Sequence, residues 1–463
     1  MALPASAQPS SVLLESLPVE IQVHILKSLP DIKTLGSLLR ASPQYLRVHL
    51  DVREDIISHI VCNQITPAIL PLAIDVFQQS YLRSHRRPRS KVLEFLETFK
   101  EPRSLLPQNT FSLEISKRLL KTHYIVEYFA NAFITNRLNR LSKYLPQIAP
   151  LLADANATLG IGIEHHRLAR SFYHLELYGT LFYDPEIAED VITVQEQSYL
   201  FLAKLLDWEL EEFLCIREYL LNCLSSYLDQ VEEDFLKDYF ENGPPTDIVN
   251  NPYDVRFNHD DEYWYFFSMD GQSARIQYRW MEGSLTRGLK TLQEILESHT
   301  ANERYDSLGD LSIDRPRNTM KQALDALPCL QDQPQVPRCK NSLESPNDAW
   351  PWSLKKWAQA RKGGVQSHSS SAQLFNTLRD WGYLIWSNET LGILGLLEKR
   401  HSTDWSYKQN AVVTHTYRAD DLPSHFGNQE RRRGSSVESR TQSQYELWRK
   451  EALGTVQSSG SID

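Results

Sequence analysis

The first part of the chain carries apolar residues at helical spacing, interrupted by residues that start or stop helices. A stripe from Leu17 to Leu29 predicts a helix that begins near Pro18, because proline is favoured in a first turn. Ser16 or Leu17 would occupy the cap position of this helix. Pro30 is expected to end it, because the residue before a proline avoids helical backbone angles.

Two more helices are predicted directly downstream. Asp31 is a typical N-cap for a second helix, and Ser42 followed by Pro43 predicts a cap and first turn for a third. The third apolar stripe continues to Val61, so one uninterrupted helix is expected there. Together the three helices carry more apolar surface than so small a unit can bury, which predicts a docking module completed by a partner. The alternative is that they are only the first helices of a larger helical core.

Helical patterns also dominate the rest of the chain. They cover residues 66–81, 91–100, 112–141, 164–182, 194–229, 349–361 and 373–397. The stretch 259–280 has two interpretations. Asp270-Gly271 is a hairpin-type turn signal, but an aromatic-rich helix pair is favoured because the surrounding chain is helical. The expected fold class is therefore all-α, with an N-terminal three-helix bundle followed by an irregular multi-helix body.

These patterns divide the chain into five regions. They are a small bundle at 12–62, a helical body at 63–300, a long loop or linker at 301–348, a helical C-terminal part of the body at 349–400 and a disordered tail at 401–463. The linker is polar with scattered prolines, and the tail is rich in Ser, Gln and Arg. No fixed repeat period emerges, so a regular solenoid is not indicated.

The N-terminal region resembles the F-box, in particular the F-box-like N-terminus of filamentous-fungal proteins. The matching residues, in the same order and spacing, are Leu17-Pro18-Val19-Glu20-Ile21, Ile25-Leu26, Leu29-Pro30-Asp31, Leu35, Leu38, Ala41-Ser42-Pro43 and Tyr45. Two distant segments, Glu164 to Phe182 and Leu378 to Trp386, are also similar to segments of those fungal proteins.

The resemblance implies a specific function. The F-box is a short helical bundle that inserts into the Skp-family adaptor of cullin-based ubiquitin ligases. The chain would thus be the substrate-recognition subunit of an SCF-type ubiquitin ligase, presenting a protein target whose identity the sequence does not reveal. The adaptor-binding residues that the resemblance implies are Leu17, Pro18, Ile21, Ile25, Leu26, Leu29 and Leu35.

Catalysis by this chain is not expected under that hypothesis. Other subunits would transfer ubiquitin, and this chain would raise the effective concentration of the target, so neither a catalytic residue nor a cofactor is needed. The alternative function is a non-ligase helical scaffold whose F-box-like helices pack on its own body.

Net charge, cysteine content and the lack of long apolar runs indicate which partners and which cell compartment are expected. The net charge of −10 over 463 residues argues against a nucleic-acid binder with a global basic face, although not against a local basic patch. The five cysteines are scattered and odd in number, which is not a disulfide framework and indicates a reducing compartment. No signal peptide and no long apolar run is evident, so a cytoplasmic or nuclear protein without a membrane segment is expected.

Chemical motifs are few. The best metal-like group is His165 and His166 beside Glu164 and near His174, but the HExxH order is absent and adjacent helical residues point about 100° apart. Surface or groove histidines are therefore favoured over metal ligands. No P-loop, nucleophile elbow or dinucleotide fingerprint occurs.

Two other features each have a structural and a functional interpretation. The run Arg431 to Ser436 fits a basophilic kinase site, but a solvated tail is favoured. Tryptophans at 350, 352, 357, 381 and 386 are candidates for a recognition surface. Core packing is favoured for Trp381 and Trp386, whereas Trp350 and Trp352 flank a proline and are expected to be more exposed.

Overall fold

The computed structural model describes residues 14–83, 88–100, 111–144, 162–183, 192–242, 271–308, 320–327, 345–351, 353, 379 and 382–393. Across these residues the regular secondary structure is helical and no strand occurs, which confirms the all-α expectation. None of the helices described has both the length and the apolar character needed to cross a membrane. The predicted disordered tail at 401–463 lies outside the described residues.

Fifteen α-helices are described. They are α1 Val19–Lys27, α2 Ile32–Ala41, α3 Pro43–Asp51, α4 Arg53–Gln64, α5 Leu70–Arg83, α6 Arg89–Thr98, α7 Leu113–Tyr144, α8 Ile163–Phe182, α9 Val194–Leu200, α10 Asp207–Asn242, α11 Gly271–Thr286, α12 Leu289–Leu296, α13 Ala301–Leu308, α14 Met320–Asp325 and α15 Asn388–Ile393. Short 3-10 turns occur at Leu14–Ser16 and Leu202–Lys204.

The first helix follows the predicted pattern with two corrections at its ends. Its cap residue is Pro18, not Ser16 or Leu17, and no side chain bonds the first-turn amides. It ends at Lys27, before Pro30 is reached. The amide of Asn63 donates to the carbonyl oxygens of Lys27 at 2.8 Å and Leu29 at 3.1 Å. Since the last carbonyls of a helix lack intrahelical partners, this bond satisfies the end of α1.

The next two helix starts are as predicted, but the third helix is shorter. The Asp31 carboxylate accepts from the Thr34 amide at 2.8 Å, and the Ser42 hydroxyl accepts from the Tyr45 amide at 3.4 Å, with Pro43 in the first turn. The predicted single helix to Val61 is wrong. Val52 leaves helical geometry at φ −132° and ψ 38°, which ends α3 and starts α4. The break lets α4 pack against α1, α2 and α3.

The chain divides into two compact units. The N-terminal unit comprises residues 1–85 and 101–127, and the C-terminal unit comprises residues 86–100 and 128–463. In the N-terminal unit α1 and α2 each pack on α3 and α4, around the buried side chains of Leu26, Tyr45, Ile56 and Ile60. This unit extends beyond the predicted boundary at residue 62, because it also includes α5 and the first part of α7.

The C-terminal unit is built around α8. Sixteen of the twenty residues of this helix are buried, and it packs on α10, α11 and α12. The α10 helix also contacts α12 and α13, and α9 contacts α14. Residues 271–280 are helical, which supports the helical interpretation of that stretch, while 259–270 lie outside the described residues. The predicted loop at 301–348 is wrong at α13 and α14.

Candidate functional site

Exposed apolar side chains concentrate on two neighbouring helices of the N-terminal unit. The described residues leave seven large apolar side chains exposed, and four of them lie on α1 and α3. They are Val19 at 53 %, Ile21 at 47 %, Leu46 at 42 % and Leu50 at 61 %. Single exposed apolar residues are ordinary, but a local concentration of them is typical of an interaction surface. These four side chains are called the docking surface below, although Val19 and Ile21, two residues apart, point to different sides of the first turn of α1.

The seven residues predicted to bind an adaptor fall into three groups. Pro18 and Ile21 are exposed, and Leu17, Ile25 and Leu29 are half-buried. Leu26 and Leu35 are buried in the bundle, at 0 % and 4 % exposure. A side chain without exposed area offers nothing to a partner, so Leu26 and Leu35 hold α1 and α2 in place and do not form the surface.

The backbone ahead of α1 is fixed by polar contacts within the N-terminal unit. Gln22 is buried, and its amide donates to the carbonyl oxygens of Leu17 at 2.8 Å and Glu15 at 3.1 Å. The hydroxyl of Ser42, the α3 cap, donates to the Glu15 carboxylate. These bonds tie the Leu17-Pro18 segment to α1 and α3. A surface held in one conformation loses less entropy when it binds a partner.

The helix α1 is also fastened to α4. The Lys27 ammonium pairs with the Asp55 carboxylate, in addition to the bonds of Asn63 to the end of α1. Both contacts lie at the C-terminal end of α1, away from Val19 and Ile21. The C-terminal end of α1 is therefore anchored to α4, while Val19, Glu20 and Ile21 in its first turn stay exposed.

Sequence reasoning missed three residues of the docking surface, Val19, Leu46 and Leu50. The sequence does contain a signal for two of them. Leu46 and Leu50 are four residues apart and so share a face of α3, different from the face that buries Tyr45 and Val48. A helix with two apolar faces can bury one in the core and leave the other exposed for a partner. The sequence pattern predicted only the buried face of α3.

Two of the three histidines that the sequence singled out, His166 and His174, are buried in the C-terminal unit, and His165 is half-buried. His166 and His174 are 8 % and 1 % exposed, so the expectation of surface or groove histidines is wrong for both. Burial lowers the pKa of His166 to about 4 and that of His174 well below its usual value. Within the described residues, no three His, Cys, Asp or Glu side chains converge as a metal site would require.

Four buried charged side chains around those histidines, Arg167, Arg170, Glu209 and Glu212, form a buried charge cluster, which the exposed Lys100 joins through Glu209. Arg170 bonds the Glu212 carboxylate at 2.6 Å, and Arg167 approaches the same carboxylate at 3.6 Å. Lys100 bonds Glu209 at 2.8 Å. Burial by itself would raise the pKa of Glu209, but the nearby Lys100 and Arg170 charges outweigh it and lower that pKa to about 2. Glu209 is thus held in its ionised form, whereas at Glu212 burial outweighs the arginine charges and raises the pKa of the carboxyl.

Arg167 also connects α8 to the segments that precede and include α15. Its guanidinium donates to the carbonyl oxygens of Leu384 at 3.0 Å, Trp386 at 2.9 Å and Ser345 at 2.9 Å. The Glu164 carboxylate accepts from the Thr390 hydroxyl at 2.6 Å on the same segment. Through these bonds Arg167 and Glu164 fasten α8 to other segments of the same unit.

The tryptophans described belong to the core. Trp386 is fully buried, as expected, and the centroid of its ring lies 6.1 Å from the centroid of the Phe133 ring. Trp350 is 5 % exposed, so the expectation that it is more exposed is wrong. Trp352, Trp357 and Trp381, together with the Arg431–Ser436 run, lie outside the described residues. The docking surface is therefore the best candidate for a functional site in the described part of the chain.

Comparisons of the chain with protein-family models, curated proteins and solved structures found no match. The candidate site therefore stands on its residues and geometry.

Proposed function

We propose that the chain is a substrate-recognition subunit of an SCF-type ubiquitin ligase, whose N-terminal unit binds the Skp-family adaptor through the docking surface. The observation that carries the proposal is the exposure of Val19 and Ile21 on α1 and of Leu46 and Leu50 on α3. The order of the Leu17-Pro18-Val19-Glu20-Ile21 opening and the caps at Asp31 and Ser42 supports the F-box resemblance in particular.

The proposed contact residues differ from the set that the sequence implied. Pro18, Ile21, Leu17, Ile25 and Leu29 are retained, because each has exposed area. Val19, Leu46 and Leu50 are added, and Leu26 and Leu35 act only through the packing of the bundle.

The apolar character of this surface determines how binding would be driven. Removing each exposed aliphatic side chain from water on docking stabilises the complex by about 1–2 kcal/mol at roughly 25 cal/mol per Å². The anchoring of Leu17-Pro18 by Gln22 and of α1 by Lys27 and Asn63 lowers the ordering cost of the same step. In the proposed mechanism the C-terminal unit holds a protein target, and proximity to the other subunits brings about ubiquitin transfer.

Affinity capture with recombinant Skp-family adaptor tests the proposal. Val19→Ser/Ile21→Ser and Leu46→Ser/Leu50→Ser are compared with wild type in the full chain. The matched control is Tyr199→Ser/Leu206→Ser, which replaces two exposed apolar side chains of the C-terminal unit. We expect capture to fall at least about tenfold for a pair on the docking surface, as for central anchors, and to be unchanged for the control.

The other outcomes are equally informative. Failure of the wild-type chain to bind the adaptor would contradict the proposal and favour the scaffold alternative. Equal loss of capture in the control pair would show that the effect is nonspecific stickiness of apolar residues.

A further inference from the structure

A second surface of the N-terminal unit is basic. The exposed residues Lys117, Lys121 and Tyr124 follow one another at spacings of four and three on α7, so they share a face of that helix. The exposed Lys33 of α2 reaches this face, since its ammonium nitrogen lies 5.8 Å from the centroid of the Tyr124 ring. Lys33, Lys117, Lys121 and Tyr124 are called the basic stripe below.

The ammonium groups of the stripe are not neutralised within the described residues, because no ion pair there involves Lys33, Lys117 or Lys121. Two carboxylates close to these lysines in sequence make other contacts. Asp31 caps α2 at the Thr34 amide at 2.8 Å. Glu114 pairs with Arg118 at 2.9 Å. The stripe therefore keeps a net positive charge in a chain whose total is −10.

Further along α7, His123 and Glu127 also contact each other. Their side chains approach to 3.4 Å, and His123 is buried beneath the helix surface. Glu127 therefore contributes one negative charge at the end of the stripe, beyond Tyr124. In sequence it does not lie between the two lysines of α7.

We propose that the basic stripe binds an acidic segment of a partner polypeptide, a function separate from the docking surface and not dependent on it. One turn of α7 places Lys117 and Lys121 about 6 Å apart along the helix axis. Alternate side chains of an extended peptide are about 6.5–7 Å apart, so acidic residues at every second position match the two amines.

The remaining members of the stripe complete the recognition. Lys33 supplies a third amine from a different helix, and the Tyr124 ring, 37 % exposed, supplies an apolar contact beside it. A nucleic acid is the less suitable occupant. Single-strand surfaces combine a long basic groove with several aromatic platforms, whereas the stripe has one ring and the whole chain is negative.

Fluorescence anisotropy with a short labelled polyglutamate peptide tests this inference on the full chain at low salt. The test variant is Lys33→Gln/Lys117→Gln/Lys121→Gln. The matched control, Lys91→Gln/Lys290→Gln/Lys321→Gln, removes the same charge from solvent-accessible lysines of the C-terminal unit. We expect affinity to fall about tenfold in the test variant and less than about twofold in the control, with the wild-type affinity decreasing as salt is added.

Each alternative result overturns the inference. Equal weakening in both triple variants would mean that binding follows net charge alone. If the wild-type chain did not bind the peptide, the basic stripe would not be a site for an acidic segment. Tighter binding of a labelled single-stranded RNA through the same lysines would show that the partner of the stripe is a nucleic acid and not an acidic polypeptide. The adaptor takes no part in this experiment, so its result is independent of the proposed function.

Discussion

In the N-terminal unit four large apolar side chains remain exposed on α1 and α3, whereas in the C-terminal unit α8 and α10 bury charged side chains such as Arg167, Arg170 and Glu212. Exposing an aliphatic side chain forgoes about 1–2 kcal/mol of burial, and burying a charge is tolerated only when a partner is well placed. The buried charges meet their partners inside the same unit, as Arg170 meets Glu212. The exposed apolar side chains have no such cover among the described residues, which is why we propose that the N-terminal unit binds the adaptor.

The largest effect is expected where the buried charge cluster loses an anion. Glu212→Ala would leave Arg167 and Arg170 buried without the carboxylate that both approach. We expect the free energy of unfolding to fall by about 3–5 kcal/mol in urea denaturation. As a control, Glu294→Ala removes one side of the exposed Lys290 pair and should cost about 0–1 kcal/mol. Equal, small losses of the free energy of unfolding in both variants would mean that the buried cluster stabilises the protein no more than the exposed pair does.

Close packing around α8 gives a second test of the C-terminal unit. A Cβ added at Gly179 would lie 2.7 Å from the backbone oxygen of Thr286, which cannot move without shifting α11. We expect Gly179→Ala to destabilise the protein by about 1–3 kcal/mol. Gly283, also helical, has nothing within 4 Å of that position, so Gly283→Ala should stabilise by about 0.5–1 kcal/mol. Thermal unfolding of the two variants distinguishes opposite signs, and a stabilising Gly179→Ala would refute the tight contact.

The buried histidines predict how stability depends on pH. Burial lowers the pKa of His166 from 6.5 to about 4, so between these values the unfolded chain binds the proton and the folded chain does not. The free energy of unfolding should therefore fall as pH drops from 6.5 to 4. His166→Gln should make that dependence shallower, and His174, whose pKa is also lowered by burial, should retain part of it. Parallel profiles of wild type and variant from urea denaturation at several pH values would contradict this assignment.

The smallest effect on stability is expected at the docking surface itself. Ile21→Ala removes a side chain that is 47 % exposed and should change the free energy of unfolding by no more than about 0.5 kcal/mol. Leu26→Ala, on the same helix but fully buried, serves as the reference and should cost about 2–5 kcal/mol. If Ile21→Ala were as damaging as Leu26→Ala in urea denaturation, Ile21 would be a core residue and the contrast between the units would weaken.

Local signals allowed much of the helical pattern to be predicted from sequence. The caps at Asp31 and Ser42 bond amides only three residues further along the chain, so they can be predicted from the local sequence. The break at Val52 has no such local signal, and it coincides with the packing of α4 against α1, α2 and α3. Short helices hidden in the polar 301–348 region are likewise held by distant contacts, as when the Trp280 indole donates to the Leu308 carbonyl at 3.1 Å.

The candidate site was predictable only in part for the same reason. Ile21, Ile25 and Leu26 belong to one apolar pattern, and only tertiary packing decides that Leu26 is buried while Ile21 is exposed. Arg167 could not be assigned from sequence, because it bonds a carbonyl 217 residues away. An arginine within an apolar helix is a signal worth noting, but its partners cannot be found without the fold.

Isothermal titration of the full chain with a purified Skp-family adaptor tests the central claim most directly. Wild type is compared with a variant in which Val19, Ile21, Leu46 and Leu50 are all serine, after circular dichroism has shown equal helix content. We expect binding by wild type with a negative heat-capacity change, and affinity at least about a hundredfold weaker in the variant. Equal affinity of the two proteins, or no heat of binding with wild type, would contradict it.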